Sequence, residues 1–363
     1  MPKLNMTLLF RFVALTFVAT LVSHAAARET ENVVLVTMDG LRWQELFGGA
    51  DERLMQDIGA DERVRVKQRY NADTPEARRD ALMPFFWSKI AAEGQVFGDP
   101  AQGSAVKVTN GKDFSYPGYN ELLCGFADPA VDSNEKVYNE NVTVLEWLNQ
   151  KPLFRGRVAA YGSWDVFPFI LNDRRSRVYV NAGWAPLEYG DKATVAELNA
   201  IARDLPHNWA GVRYDAITFR GALEHLKAEK PRVLYLSLGE TDDWAHAGRY
   251  ELYLDAAAVA DDQLRRLWET LQSMDEYRGK TSLVITTDHG RGDGPQGWKN
   301  HSVDIEGSNR MWIAVIGPDT PGRGVLKDVE ATQSQVAATV AKLLGEDFTT
   351  HDSRVAKALE LGE

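Results

Sequence analysis

The chain is nearly without cysteine: Cys124 is the only one among 363 residues. One thiol excludes an intrachain disulfide framework, so stability must come from the core and from bound ligands. It also excludes a thiolate zinc site, which needs several cysteines at short spacing. Cys124 sits in the apolar stretch ELLCG and reads as a small buried hydrophobe. A Lys/Arg-dense block is missing too. Asp and Glu number 52 against 41 Lys and Arg, which gives a net charge of -11 and a pI near 5.3. Binding to a nucleic-acid polymer is therefore not expected. An anionic small molecule would have to be drawn in by local positive charge, which bound metal ions supply. No repeat or low-complexity tract is present. Beyond the first residues, no apolar run is long enough to cross a bilayer.

The amino terminus has the pattern of an export signal. Lys3 and Arg11 are the only formal charges before Arg28, Phe12 to Val22 is apolar, and Ala25-Ala26-Ala27 supplies small residues for cleavage. Residues 1–27 are expected to be a signal peptide, giving a periplasmic or secreted protein with no stable membrane span after cleavage. Residues 28–363, in a chain that is 44% hydrophobic, suit a single α/β domain.

Within that domain NVVLVT (32–37) is a continuous apolar strand of the kind buried on both faces. Further strands are expected at 106–109, 157–161, 232–238, 282–287 and 311–316. Helices are expected at 142–150, 217–229, 250–274 and 333–344. Asp73-Thr74-Pro75-Glu76 reads as a helix start, and that helix is expected to run to Gly94. Residues 164–208, rich in aromatics, Arg, Gly and Pro, read as a small cap excursion over the sheet edge. Strands alternating with helices predict a mostly parallel central sheet with helices on both faces. Ligands bind such sheets beyond the carboxyl ends of the strands.

The chemistry-bearing residues fall at those ends. Asp39 closes VVLVTM, Asp242 and His246 follow the strand at 232–238, and Asp288 and His289 follow SLVITT. His301 lies in the later loop WKNHS, and Ser115 opens the segment SYPGYNELLCG. Asp242 and His246 are four apart and share a face of one helical turn. Asp243 competes with Asp242 for the same part. A carboxylate that closes a buried strand, as Asp39 does, needs a partner. Six Asp/His ligands plus one hydroxyl are the inventory for two divalent ions and a nucleophile. Read singly, each has an ordinary alternative: Asp39 and Ser115 as helix caps, His301 as polar surface.

In this order the segments resemble the alkaline phosphatase superfamily, and particularly its type I phosphodiesterase/nucleotide pyrophosphatase-like branch. The match spans about residues 32–318. The resemblance implies that Asp242, His246 and His301 hold one ion, and that Asp39, Asp288 and His289 hold the other together with Ser115. It further implies Ser115 as nucleophile, a phosphoserine intermediate and zinc as the usual metal, with manganese the alternative. The branch carries Asn directly after the Pro of the nucleophile segment. Gly118 stands there here, so Asn120 is the candidate phosphate contact. Arg174, Arg175, Arg177 and Lys299 are further candidates. The resulting expectation is an exported two-metal hydrolase of phosphate monoesters or diesters. A phosphoryl transferase of the mutase type and a non-catalytic metal-binding protein on the same fold are the alternatives.

Overall fold

A computed structural model describes residues 28–362, together with Pro2. The expected signal peptide lies outside the described residues. In chain order the strands are β1 (Asn32–Met38), β2 (Gln95–Phe97), β3 (Ala105–Lys107), β4 (Val158–Gly162), β5 (Tyr179–Ala182), β6 (Val233–Leu238), β7 (Thr281–Thr286), β8 (Arg310–Met311), β9 (Ile313–Ile316), β10 (Gly324–Val325) and β11 (Glu330–Thr332). Eight form the central sheet in the order β10-β2-β9-β7-β1-β6-β4-β5, and only β9 runs against the rest. This is the mostly parallel α/β architecture read from the sequence.

β1 shows why both faces are covered. Its residues alternate faces. Val34, Val36 and Met38 enter one apolar core, and Val33 and Leu35 enter the other. The first core includes residues of the helices Trp43–Gly48, Asp215–Glu229 and Tyr250–Ser273. The second includes residues of Ser115–Cys124, Val144–Gln150 and Gln335–Leu343. Cys124 is fully buried in the latter. Truncating a filled position such as Leu236 to Ala would cost about 2–5 kcal/mol.

The central trio β7-β1-β6 matters most for function. All three run parallel, with Met38 beside Leu238 and Thr37 beside Thr286. Their carboxyl ends therefore stop at one level, and the residues that follow meet at one edge.

Several expectations change in detail. The helix from Pro75 stops at Leu82, because Pro84 disfavours helical backbone at Met83 and has no N–H to continue the ladder. A separate helical turn, Phe86–Ala91, follows. The stretch 311–316 splits at the buried Trp312: β8 joins a small sheet with β3 and β11, while β9 stays in the main one. The excursion 164–208 returns to the body. Its strand β5 forms the sheet edge, and its helix Lys192–Asp204 packs beside Asp215–Glu229. Among the described residues no helix is long and apolar enough to cross a membrane.

Candidate metal centre

Each strand of the central trio hands over its polar residues at once. Asp39 follows β1, and its N–H donates to Leu238 O at 2.9 Å. Gly40 then turns with φ +59°, and its N–H reaches Asp288 Oδ1 at 3.1 Å. After β6 a short helix, Glu240–His246, starts with Gly239 at its cap and carries Asp242 and His246 on one face. After β7 the chain passes Thr287 into Asp288 and His289, both fully buried.

Two triads result. Asp242, His246 and His301 have ligand atoms within 4.8 Å of one another, and so do Asp39, Asp288 and His289. His246 Nε2 lies 3.2 Å from Asp242 Oδ2 and 3.0 Å from His301 Nε2. His289 Nε2 lies 3.4 Å from both Asp39 Oδ1 and Asp288 Oδ2. The triads adjoin, since the His289 and His301 rings stack with centroids 3.9 Å apart. Ser115 Oγ meets His289 Nε2 at 3.4 Å. It begins the helix Ser115–Cys124 and makes no capping bond, because Phe114 occupies the cap position. Nor does Asp39 cap the following helix, whose cap position is Arg42. The structure thus brings together all seven residues picked from the sequence as ligands or nucleophile.

The surroundings suit cations. Asp39 Oδ1 and Asp288 Oδ2 are buried carboxylate oxygens without a hydrogen-bond donor, an arrangement that calls for a positive partner. Burial, with the charge of Asp242, pushes Asp39 up to about 7, and burial with Asp39 and Asp242 pushes Asp288 well above the carboxylate range. Burial pushes His289 down to about 4 and His301 to about 3, which keeps both imidazoles neutral, the form that binds metals. Their Nδ1 atoms sit against carbonyls, His289 with Gly290 O at 2.9 Å and His301 with Asp113 O at 3.1 Å. That leaves each Nε2 lone pair turned toward the cluster. The donor set therefore fits divalent metal ions.

Asp243 stands outside both triads. Burial and the neighbouring carboxylates, Asp242 first, raise it to about 9. Asn120 lies five residues past Ser115, about 140° around the helix, and is fully buried. Its carbonyl accepts from Asn139 Nδ2 at 3.0 Å and Asn141 Nδ2 at 3.1 Å, while its own Nδ2 is buried without a partner. Gly118, in the place of the branch's Asn, has a steric reason. A Cβ there would lie 2.5 Å from the Asp288 carbonyl oxygen. Arg175 is engaged with Glu146 and two carbonyls, and Arg174 lies over the Tyr138 ring. Phe167 packs against Tyr119 and Tyr235 within the body.

Two residues were not found from the sequence. Tyr119 donates to Asp39 Oδ2 at 2.8 Å and accepts from Ser237 Oγ at 3.2 Å. Its position four after Ser115, on the same helix face, was the available signal. Arg291, two residues past His289, pairs with Asp242.

Fold and site together define an α/β protein of the alkaline phosphatase superfamily. The sequence profile of the type I phosphodiesterase / nucleotide pyrophosphatase family matches residues 96–356, and the chain belongs to that family. The match begins after β1, so Asp39 lies outside it. Among curated proteins, the 2,3-bisphosphoglycerate-independent phosphoglycerate mutase of Haloquadratum walsbyi is 28% identical over 123 residues, 34% of this chain and 23% of the mutase. That of Haloarcula marismortui is 25% identical over 126 residues, 35% and 23% of the two chains. The matched part is thus about a quarter of each mutase. Among solved structures, the alkaline phosphatase PafA is similar with a TM-score of 0.56 at 10% identity, covering 89% of this chain and 97% of that one. Murine ectonucleotide pyrophosphatase / phosphodiesterase 5, in complex with AMP, gives 0.53 at 12%, covering 87% and 95%. Ps i-CgsB in complex with k-i-k-neocarrahexaose gives 0.56 at 16%, covering 92% and 75%. At these identities the three similarities speak for the fold.

Proposed function

We propose that this protein is an exported two-metal hydrolase of small phosphate esters that works through a phosphoserine intermediate on Ser115. The observation that carries the reading is the pair of adjoining Asp/His triads with Ser115 beside the shared edge, including two buried carboxylate oxygens that lack any donor. Asp242, His246 and His301 would hold one ion, and Asp39, Asp288 and His289 the other with Ser115. His-plus-carboxylate ligation favours zinc, with manganese the second choice. Such ions supply the positive charge that ionises a hydroxyl near neutral pH and offsets charge on a phosphoryl group.

The chain's own residues do the rest. Ser115 Oγ attacks phosphorus in line, the P–O bond to the leaving alcohol breaks, and the alcohol leaves with a proton. Water then cleaves the phosphoserine, returns a proton to Ser115 and releases phosphate or a phosphomonoester. The helix that begins at Ser115 directs its positive end toward the developing charge. Tyr119 holds Asp39, and the carbonyls of Gly290 and Asp113 hold His289 and His301, so the ligand set is fixed before substrate arrives.

The test compares kcat/KM for nitrophenyl phosphate and bis-nitrophenyl phosphate on zinc-loaded protein starting at Arg28, with a chelated control. Ser115→Ala should lower turnover by orders of magnitude with both ions retained. Full activity in that variant would remove the nucleophile. Preference for one substrate assigns the monoester or diester class. The names of the curated relatives favour one second reading, a phosphoryl transfer between hydroxyls of a phosphoglycerate. Interconversion of 2- and 3-phosphoglycerate without release of phosphate would replace hydrolysis as the reaction. Export is tested by mass spectrometry of the protein from its host, which should begin at Arg28.

A further inference from the structure

Arg291 has an environment unlike that of any surface arginine in the chain. It is wholly buried, and each of its three nitrogens is engaged. Nε donates to Trp298 O at 2.8 Å, Nη2 donates to Lys299 O at 2.8 Å, and Nη1 pairs with Asp242 Oδ1. The first two acceptors belong to the loop that delivers His301. The third is a member of the same triad. The side chain itself springs from the segment that carries Asp288 and His289. One guanidinium therefore ties together three of the segments that build the centre.

The backbone makes room for this arrangement. A Cβ on Gly40 would lie 2.9 Å from Arg291 Nη1 and 2.9 Å from Asp242 Oδ1, so a larger residue after Asp39 would press on the pair, and Gly40 also takes φ +59°. Asp242 Oδ1 pairs with Arg291 and lies 3.6 Å from His301 Nε2, and Oδ2 faces His246 Nε2 at 3.2 Å. A planar fork suits this task, because it answers a carboxylate and two carbonyls in one rigid geometry.

Building on the two-metal reading above, we infer that Arg291 is a positioning residue that holds Asp242 and His301 in place for the same ion. Its loss should weaken the Asp242–His246–His301 site and spare the Asp39–Asp288–His289 site. Residues that orient metal ligands from behind typically govern affinity by 10–100-fold.

The experiment uses the mature protein as wild type, Arg291→Met, Arg291→Lys and His301→Ala. Each is loaded with Zn²⁺ or Co²⁺ and dialysed against graded chelator. Bound metal is counted by mass spectrometry, and the cobalt absorption spectrum reports which site is filled. Wild type should hold two ions. Arg291→Met should keep one ion at wild-type affinity and bind the other roughly 10–100-fold more weakly, with the cobalt spectrum of His301→Ala. Arg291→Lys should fall between, because an ammonium can answer Asp242 but cannot also span both carbonyls. Two ions held by Arg291→Met at wild-type affinity would overturn the inference. So would equal weakening of both ions, which would mark Arg291 as a general brace. If circular dichroism shows Arg291→Met unfolded, Arg291→Lys decides, and wild-type retention of both ions in it overturns the inference. Fewer than two ions in wild type would sink the two-metal reading itself, independently of the variants.

Discussion

At the scale of single residues, backbone conformation is as telling as side-chain chemistry. Asp113 is buried and adopts φ +56°, a left-handed conformation that L-residues other than Asn and Asp avoid. Its N–H donates to Asn110 Oδ1 at 3.1 Å, and its carbonyl accepts from His301 Nδ1. Two residues later the helix Ser115–Cys124 begins. Asp113 thus turns the chain so that one peptide orients a ligand and the next places Ser115. Asp113→Gly and Asp113→Asn are expected to keep this turn, and with it metal content and turnover. Asp113→Val should destabilise by about 1–2 kcal/mol or more, because a β-branched side chain is strained there. Thermal melts and kcat/KM of the three variants check this. A Val variant equal to wild type would show that the turn is not demanding.

The same scale explains what could be read from the chain. Asp39, Asp242, Asp288 and His289 were legible because each follows an apolar strand, and parallel strands end together. His301 was legible only through the order of the set. Arg291 and Tyr119 were not, because their partners Asp242 and Asp39 lie 49 and 80 residues away. The helix face of Asn120, 5 residues and about 140° from Ser115, follows from helix geometry rather than from nearness to the motif.

At the scale of elements, the helix Ser115–Cys124 carries both the proposed nucleophile and a brace for Asp39. Tyr119→Phe removes one donor from a buried carboxylate but keeps the ring against Phe167. The expected result is a 10–100-fold weaker ion at the Asp39–Asp288–His289 site, read by chelator titration, with the other site unchanged. Unchanged affinity at both sites would mean that Asp39 is held by other contacts. Element boundaries were the less legible part. The break after Leu82 follows from Pro84, which could have been weighed. The split at Trp312, whose Nε1 donates to Leu41 O at 3.0 Å, depends on a contact 271 residues distant in sequence.

At the scale of the molecule, stability and pH are linked through buried histidine. His225 is 5% exposed, meets Tyr161 Oη through Nδ1 at 3.1 Å and lies among Tyr161, Tyr179 and Tyr189. Burial pushes it down to about 4 from 6.5. Above 6.5 the folded and unfolded chains carry the same charge there. Below 6.5 the unfolded state binds the proton first, so stability falls as pH drops toward about 4 and then levels. The shift corresponds to roughly 3 kcal/mol. His225→Gln should flatten that part of the slope in melts between pH 7 and 4; an unaltered slope would assign it to other groups. Chelation should lower Tm as well, since ions that bind only the folded chain stabilise it by mass action. A Tm indifferent to chelator would argue against tightly held metals.

Among the described residues β1 is the first strand, and it stands in the middle of the sheet. Val33 pairs with Val233, and Asn32 with Thr281. A ribosome moving at about 5–20 residues per second thus exposes this apolar strand for roughly 10–40 s before either neighbour is made. Through that interval both its edges can pair with the wrong chain. A chaperone that binds unfolded chains would protect the strand through that interval. Polypeptides truncated just before residue 233 should accumulate as insoluble material, whereas the full chain should not.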